Sequence, residues 1–351
     1  MDLSAKITGI KYRPFLCRKL NIYTINNFEE ALSKDATFIL NIDNTNQIAI
    51  SWWVSPKRTR SYPYARVYDS LAFSGRKVTI IPIMKDEGIE GDRDFLQWDT
   101  ISLMSLLGIY VIVAYYVNAK PSLKKQYKTT KITKQEFDVS HIKKELESLL
   151  SYQSDALHWN LSQIEKVGEL LEKALKFYDI ISKKLKIKMH SKERAKKRIE
   201  ELLKGKEEFM RLSRDLAKRA QWRESVTTQP KEKLDGKKGR ITIRNYLGGC
   251  YYLTLDEYKI KQRKIYLIES KHTKRNNFPS LGDIKDGLLK MVLFTNLEDV
   301  KIDDKKYKSI PVLKLTTEKG FKKETLNKTQ INFFNLLKKE AMTNKFKLLI
   351  K

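Results

Sequence analysis

The stretch "KIYLIESKHTK", residues 264–274, decides how the C-terminal half of the chain is read. Ile265, Tyr266, Leu267 and Ile268 favour a strand, and the run ends in Glu269-Ser270-Lys271 before turning basic. Alternation puts Glu269 and Lys271 on one face of that strand. Just upstream, "CYYLTLDEYKI" (250–260) is a second strand, and the residues between the two make a turn. An antiparallel register that sets Asp256 opposite Glu269 also sets Thr254 opposite Lys271. Directly opposed residues share a face, with Cβ atoms about 4.5–5.5 Å apart. A slip of one residue would bring up Glu257 in place of Asp256. Two carboxylates so close repel unless a cation lies between them. Oxygen ligands with several waters suit magnesium, and a neighbouring lysine suits a phosphate oxygen or an acidified water.

Outward from this hairpin the elements fall into a fixed order. "SKERAKKRIEELL" (191–203) reads as helix, with Ser191 at its N-cap. "RITIRNYL" (240–247) precedes the hairpin as a first strand. "PSLGDIKDGLLKMVLFTNL" (279–297) is a helix with Ser280 at its N-cap and Asp283 three residues on. "SIPVLKL" (309–315) is a strand, and "NKTQINFFNLLKKEAMTNKF" (327–346) a further amphipathic helix.

Asp256, twelve intervening residues, and Glu269-Ser270-Lys271 at the end of an apolar strand resemble the PD-(D/E)XK nuclease superfamily, which includes most type II restriction endonucleases. The helix, three strands, helix, strand order is similar to that family's core. Leu255 stands where the family often has proline before the aspartate. The resemblance implies that Asp256 and Glu269 bind Mg2+ and that Lys271 positions or activates the attacking water. It also implies an extra acid from the helix before the first strand, for which Glu200, Glu201, Glu207 and Glu208 are candidates. A homodimer is implied by the need to cut two strands. His272 points to the other strand face and reads as a polar strand end.

Charge agrees with a polyanionic partner. Lysine and arginine total 70 against 42 acids, a formal charge of +28, as expected of a protein that binds nucleic acid. Hydrophobic residues make up 41%, enough for a sizeable core. The longest apolar run, "LGIYVIVAYYV", is too short to span a bilayer, and the opening "MDLSAKITGIKYRPF" has no signal-peptide core. Cys17 and Cys250 alone exclude a disulfide scaffold and a multi-cysteine zinc site. The four histidines, 141, 158, 190 and 272, have no ligand spacing. A cytoplasmic location is the expectation.

The N-terminal part reads as mixed α/β. "TFILNID", "QIAISWWVS", "KVTIIPIM" and "YVIVAYYV" are strands, and "DFLQWDTISLMSLLG" (94–108) is a helix that Gly108 caps. "KPSLKKQYKTTKITK" (120–134) reads as a basic linker. From 136 to 223 the pattern is helical. Lys183 to Arg223 carries sixteen basic residues and six acids, either a solvated face or a helix lying along phosphates. "WWVSPKRTRSYPYARVY" (52–68) interleaves Lys57, Arg58, Arg60 and Arg66 with aromatics, a candidate surface for base readout and stacking. Lys274 and Arg275, after the Glu269 strand, are candidate phosphate contacts. Asp86, Glu87, Glu90, Asp92 and Asp94 form an acidic patch, read as acids favouring a helix N-terminus or as a second metal site.

The expected organisation is an α/β region over 1–119, a linker and helical region over 120–190, and a nuclease-like domain over 191–351 with a central mixed sheet flanked by helices. The expected activity is magnesium-dependent, sequence-specific cleavage of double-stranded DNA. Two alternatives stand beside it: a non-catalytic nucleic-acid-binding protein, and a structure-specific repair or recombination nuclease on the same core.

Overall fold

The computed structural model describes residues 1–43, 45–56, 63–191, 237–245, 250–274, 278–318 and 320–351. Between 193 and 222 it also describes positions 193, 195–197, 200, 207, 211, 215, 218, 219, 221 and 222, all helical. In chain order the elements begin with β1 (Asp2–Ile7), β2 (Ile22–Thr24), α1 (Phe28–Lys34), β3 (Thr37–Asn41), β4 (Gln47–Trp52) and α2 (Pro63–Ser70). β5 (Arg76–Pro82), β6 (Met84–Asp86), β7 (Arg93–Phe95), α3 (Trp98–Leu106), β8 (Ile109–Ala114), β9 (Tyr116–Pro121) and β10 (Ile132–Phe137) follow. Helices α4 (Val139–Leu150), α5 (Ala156–Glu165) and α6 (Val167–Leu185) lead toward β11 (Lys237–Asn245), β12 (Cys250–Lys261) and β13 (Lys264–Thr273). The chain closes with α7 (Leu281–Phe294), β14 (Glu298–Ile302), β15 (Lys305–Lys306), β16 (Lys308–Thr317), α8 (Lys328–Thr343) and β17 (Lys347–Ile350). The fold is mixed α/β, as the sequence implies.

Two compact units divide the chain, one of Met1–Leu20, Tyr64–Ser74 and Asp215–Lys351, the other of Asn21–Pro63 and Gly75–Arg214. This differs from the three consecutive segments expected. The reason is β1, which pairs in parallel with β11 more than two hundred residues later, Leu3 with Ile241 and Ala5 with Ile243. Leu3, Ala5 and Ile7 alternate with exposed neighbours and are buried in that sheet's core.

The second unit carries a five-stranded sheet in the order β2-β3-β4-β5-β8. Its central strands are apolar on both faces, as covered parallel strands are, with Ile48, Ala49, Ile50, Val78, Ile80, Val111 and Ile112 buried. Three expectations are corrected here. Residues 120–134 are no linker: β9 and β10 form a hairpin, held where Phe137 stacks on Tyr116 at 4.5 Å between ring centroids. The helix expected from Asp94 starts only at Trp98, because Asp94 and Phe95 pair with Lys85 and Met84. The acidic patch marks no helix N-terminus. Asp86 is buried in a hairpin, accepting from Gly88 N–H (2.9 Å) and facing His190 Nδ1 (2.8 Å) and Arg93 Nε (3.3 Å). Gly108 does adopt the left-handed conformation (φ 65°) that its capping role requires.

The first unit is built on an eight-stranded mixed sheet, order β15-β14-β1-β11-β12-β13-β16-β17. The helix, three strands, helix, strand order is present, with the β14–β15 hairpin inserted before β16 and β17 added at the edge. β16 runs parallel to β13, and β17 parallel to β16. Helices α7 and α8 make the connections such parallel pairs require. Ser280 caps α7 by accepting from Asp283 N–H (3.2 Å), and Asn327 and Gln330 form a capping box on α8. Among the described residues no helix is long and apolar enough to cross a membrane.

Candidate functional site

The β12–β13 hairpin turns on two residues, Gln262 and Arg263, between the paired Lys261 and Lys264. Gln262 takes the left-handed φ of 56° that a tight hairpin needs. Tyr258 pairs with Leu267 and Glu257 with Ile268, so the next position sets Asp256 across from Glu269, the register expected. The ladder ends there, and Asp256 Oδ2 accepts the N–H of Ser270 at 2.8 Å.

A β-bulge aims Asp256. β11 pairs with β12 regularly from Arg244–Cys250 to Gly239–Leu255, then shifts to Lys237–Tyr258. A Cβ on Gly239 would meet Tyr258 Cδ1 at 3.0 Å and Leu255 Cδ1 at 3.5 Å, so both side chains lie on its face. Residues three apart on a strand share a face only if alternation is broken once between them. The extra residue turns Asp256 to the face of Leu255 and Glu269. It leaves Thr254, which pairs with Arg240, on the opposite face, so the expected Thr254–Lys271 neighbours are not brought together. Glu257 also lies on that opposite face, where it pairs with Lys314 (3.0 Å) and Lys259 (2.8 Å).

Glu269 is 1% exposed and stands between two ammoniums: Lys271 at 3.0 Å from Oε1 and Lys290 at 2.7 Å from Oε2. Lys271 also donates to Asp286 Oδ2 at 3.0 Å. Burial pushes the Glu269 carboxyl up, but Lys290 and Lys271 outweigh it and hold it below its ordinary value. Burial likewise favours neutral Lys271 and Lys290. Glu269 and Asp256 oppose this for both lysines, joined by Asp286 for Lys271, and hold them above the usual lysine range. These carboxylates favour the ammonium form of Lys271.

Asp286 and Lys290 escape a search for catalytic motifs. They stand four apart on α7, one turn of helix, and α7 is otherwise buried along most of its length. Charges in so apolar a helix need partners, which is the signal that points to them. Gly287 lies between them. A Cβ there would meet Leu313 Cδ1 at 2.8 Å and Lys271 Cε at 3.2 Å, so glycine lets the Lys271 stem pass. Gly287→Val is expected to cost about 1–3 kcal/mol by overpacking. A lower urea midpoint with unchanged slope would register it, and an unchanged midpoint would mean that the helix is not seated this closely.

The metal that the resemblance implies is magnesium. Among the described residues no group of three or more Asp, Glu, His or Cys is arranged to hold a metal ion. Asp256 and Glu269 do supply oxygen from adjacent strands on one face. Magnesium is ordinarily held by one or two carboxylates, waters and substrate phosphates rather than by a full protein cage. Asp256, Glu269 and Asp286 against Lys271 and Lys290 leave one formal negative charge, which a cation would offset. The chemistry fits Mg2+ held by a carboxylate pair.

Lys57, Arg58, Arg60 and Arg275 lie outside the described residues, as do Glu201 and Glu208. Of their neighbours, Trp53 and Tyr64 are core residues, 0% and 5% exposed. Lys274 is exposed just past the end of β13. Glu200 and Glu207 are exposed helical positions. His272 faces Thr316 Oγ1 at 2.9 Å and Glu318 at 3.4 Å, a polar strand end.

No protein-family model, no curated protein sequence and no solved structure matches this chain.

Proposed function

We propose that the protein is a magnesium-dependent endonuclease acting on double-stranded DNA, of the type II restriction kind and similar to the PD-(D/E)XK nucleases. The observation that carries the proposal is the convergence of Asp256, Glu269 and Lys271 on one sheet face, with a bulge spent on aiming the aspartate. Asp256 and Glu269 would hold the ion. When bound, magnesium supplies a Lewis acid at the phosphate and an acidified water. Lys271, fixed by Glu269 and Asp286, holds a phosphate oxygen or the developing charge. Lys274 at the strand end and the excess of 28 positive charges favour the DNA backbone. A homodimer would present one such site to each strand, and a cytoplasmic location goes with a restriction role.

One observation favours a second reading. Both oxygens of Glu269 are already ion-paired, as they would be in a non-catalytic DNA-binding protein whose buried acids are structural. A structure-specific repair or recombination nuclease remains the third. Incubation with DNA and magnesium separates the three: discrete fragments of a large plasmid support restriction, smears or cutting of a junction substrate support the third, and DNA left intact supports the second. Affinity for non-cognate duplex is expected to fall with salt at a log–log slope of about −5 or steeper, since each phosphate contact contributes about −0.9. A slope near zero would remove DNA as the partner.

A further inference from the structure

We propose that the sheet face opposite Asp256 carries a separate site for single-stranded nucleic acid, centred on Trp222; this rests on the reading that the partner is a nucleic acid. The face follows from register. Asp2 pairs with Arg240 and Ser4 with Thr242, while Arg240 pairs with Thr254 and Thr242 with Tyr252. All of them share one face, and the bulge puts Asp256, Glu269 and Lys271 on the other. A cleft of about 900 Å³ opens on the Arg240 face, floored by Thr242 and Tyr252 and walled by Lys218, Arg219 and Trp222. That space exceeds what one nucleotide fills.

Its chemistry suits a strand with unpaired bases. Trp222 is 56% exposed, whereas Trp53, Trp98 and Trp159 are 0%, 2% and 4% exposed. An indole left this open is a platform on which a base of any sequence stacks. Lys218 and Arg219 lie four and three residues before Trp222, so all three share one helix face. The cations set positive charge beside the ring. Lys218 Nζ also lies 5.9 Å from the Tyr252 ring centroid, which keeps a second aromatic at the floor under positive charge. Arg240 is held by Asp2 at 2.5 and 2.7 Å, so it shapes the rim and is not counted as a phosphate ligand. Cations beside an aromatic are how strands are gathered without sequence preference.

The test is binding of a fluorescein-labelled oligothymidylate of about twelve nucleotides, in chelator so that no cutting intervenes. The full chain is expected to bind it with quenching of indole emission. Trp222→Ala is expected to weaken binding about tenfold, and Trp222→Phe to recover part of the loss. Because Trp222 is exposed, an unchanged melting temperature should accompany both variants. Binding is read with chelator present, so the outcome stands whether or not the protein cuts DNA. Equal affinity for wild type and Trp222→Ala, or no oligonucleotide binding at all, would overturn the site.

Discussion

Glu269→Ala is expected to destabilise the protein by about 3–5 kcal/mol, the usual cost of removing one partner from a buried ion pair. At a strand edge beside solvent the change would have left folding intact. Instead Glu269 is 1% exposed and is the carboxylate that Lys290 and Lys271 both face. Without it two ammoniums remain close together in a low-dielectric site, answered only by Asp286 beside Lys271 and by Asp256 further off. For a unit of this size the loss corresponds to a fall of about 6–20 °C in melting temperature. Glu318→Ala, which removes a half-exposed partner of His272, is the control and should stay within about 0.5 kcal/mol. The pH dependence has a definite sign. The depressed Glu269 carboxyl stabilises the fold above its unfolded value of about 4.3, and that stability is lost as pH falls through the lower folded value. The raised Lys271 and Lys290 stabilise below about 10.4 and lose that contribution as pH rises through their folded values. Glu269→Ala should therefore flatten both limbs of the stability profile. A variant that melts with the wild type would mean that the pair is solvated.

Asp256→Asn is expected to weaken binding of Mn2+, a spectroscopic stand-in for magnesium, by at least about a hundredfold. Substitutions one shell further out already cost about 10–100-fold in affinity. Asparagine is the informative choice because its amide oxygen can still accept the Ser270 N–H that Asp256 Oδ2 takes at 2.8 Å. The charge goes and the local hydrogen bond stays. Asp256 is also only half-buried, so the fold should lose little. Electron paramagnetic resonance of free Mn2+ reads the affinity directly, without DNA. Equal affinity in the two proteins would remove Asp256 from the metal site and leave the bulge without a catalytic purpose.

The hairpin was legible because two apolar strands of matching length flank a short polar turn, and length fixes register when one face is buried. The turn itself carried no Asn-Gly or Asp-Gly signal, since Gln262 occupies the left-handed position. The bulge was not legible at all. Nothing in "LTLDEYK" marks an extra residue, so strict alternation put Thr254 beside Lys271 when it lies behind the sheet. Pairing of β1 with β11 was hidden by distance: "DLSAKI" is a strand pattern too short to announce a partner so far along the chain. Residues 120–134 misled through composition. Lysines and threonines line a hairpin whose fixing contacts are Ile132 and Phe137, and polarity on an exposed hairpin looks like a linker. Asp286 and Lys290 became meaningful only once α7 was known to lie on the Glu269 face.

Cleavage of supercoiled plasmid across a magnesium titration, with wild type and Asp256→Asn side by side, tests the central claim most directly. Wild type is expected to nick and linearise the plasmid in proportion to magnesium and to stop when chelator is added. Asp256→Asn, folded and still bound to DNA, is expected to leave the plasmid supercoiled. Equal cutting by both proteins, or an intact plasmid at every magnesium concentration with wild type bound to it, would contradict a nuclease centred on Asp256, Glu269 and Lys271.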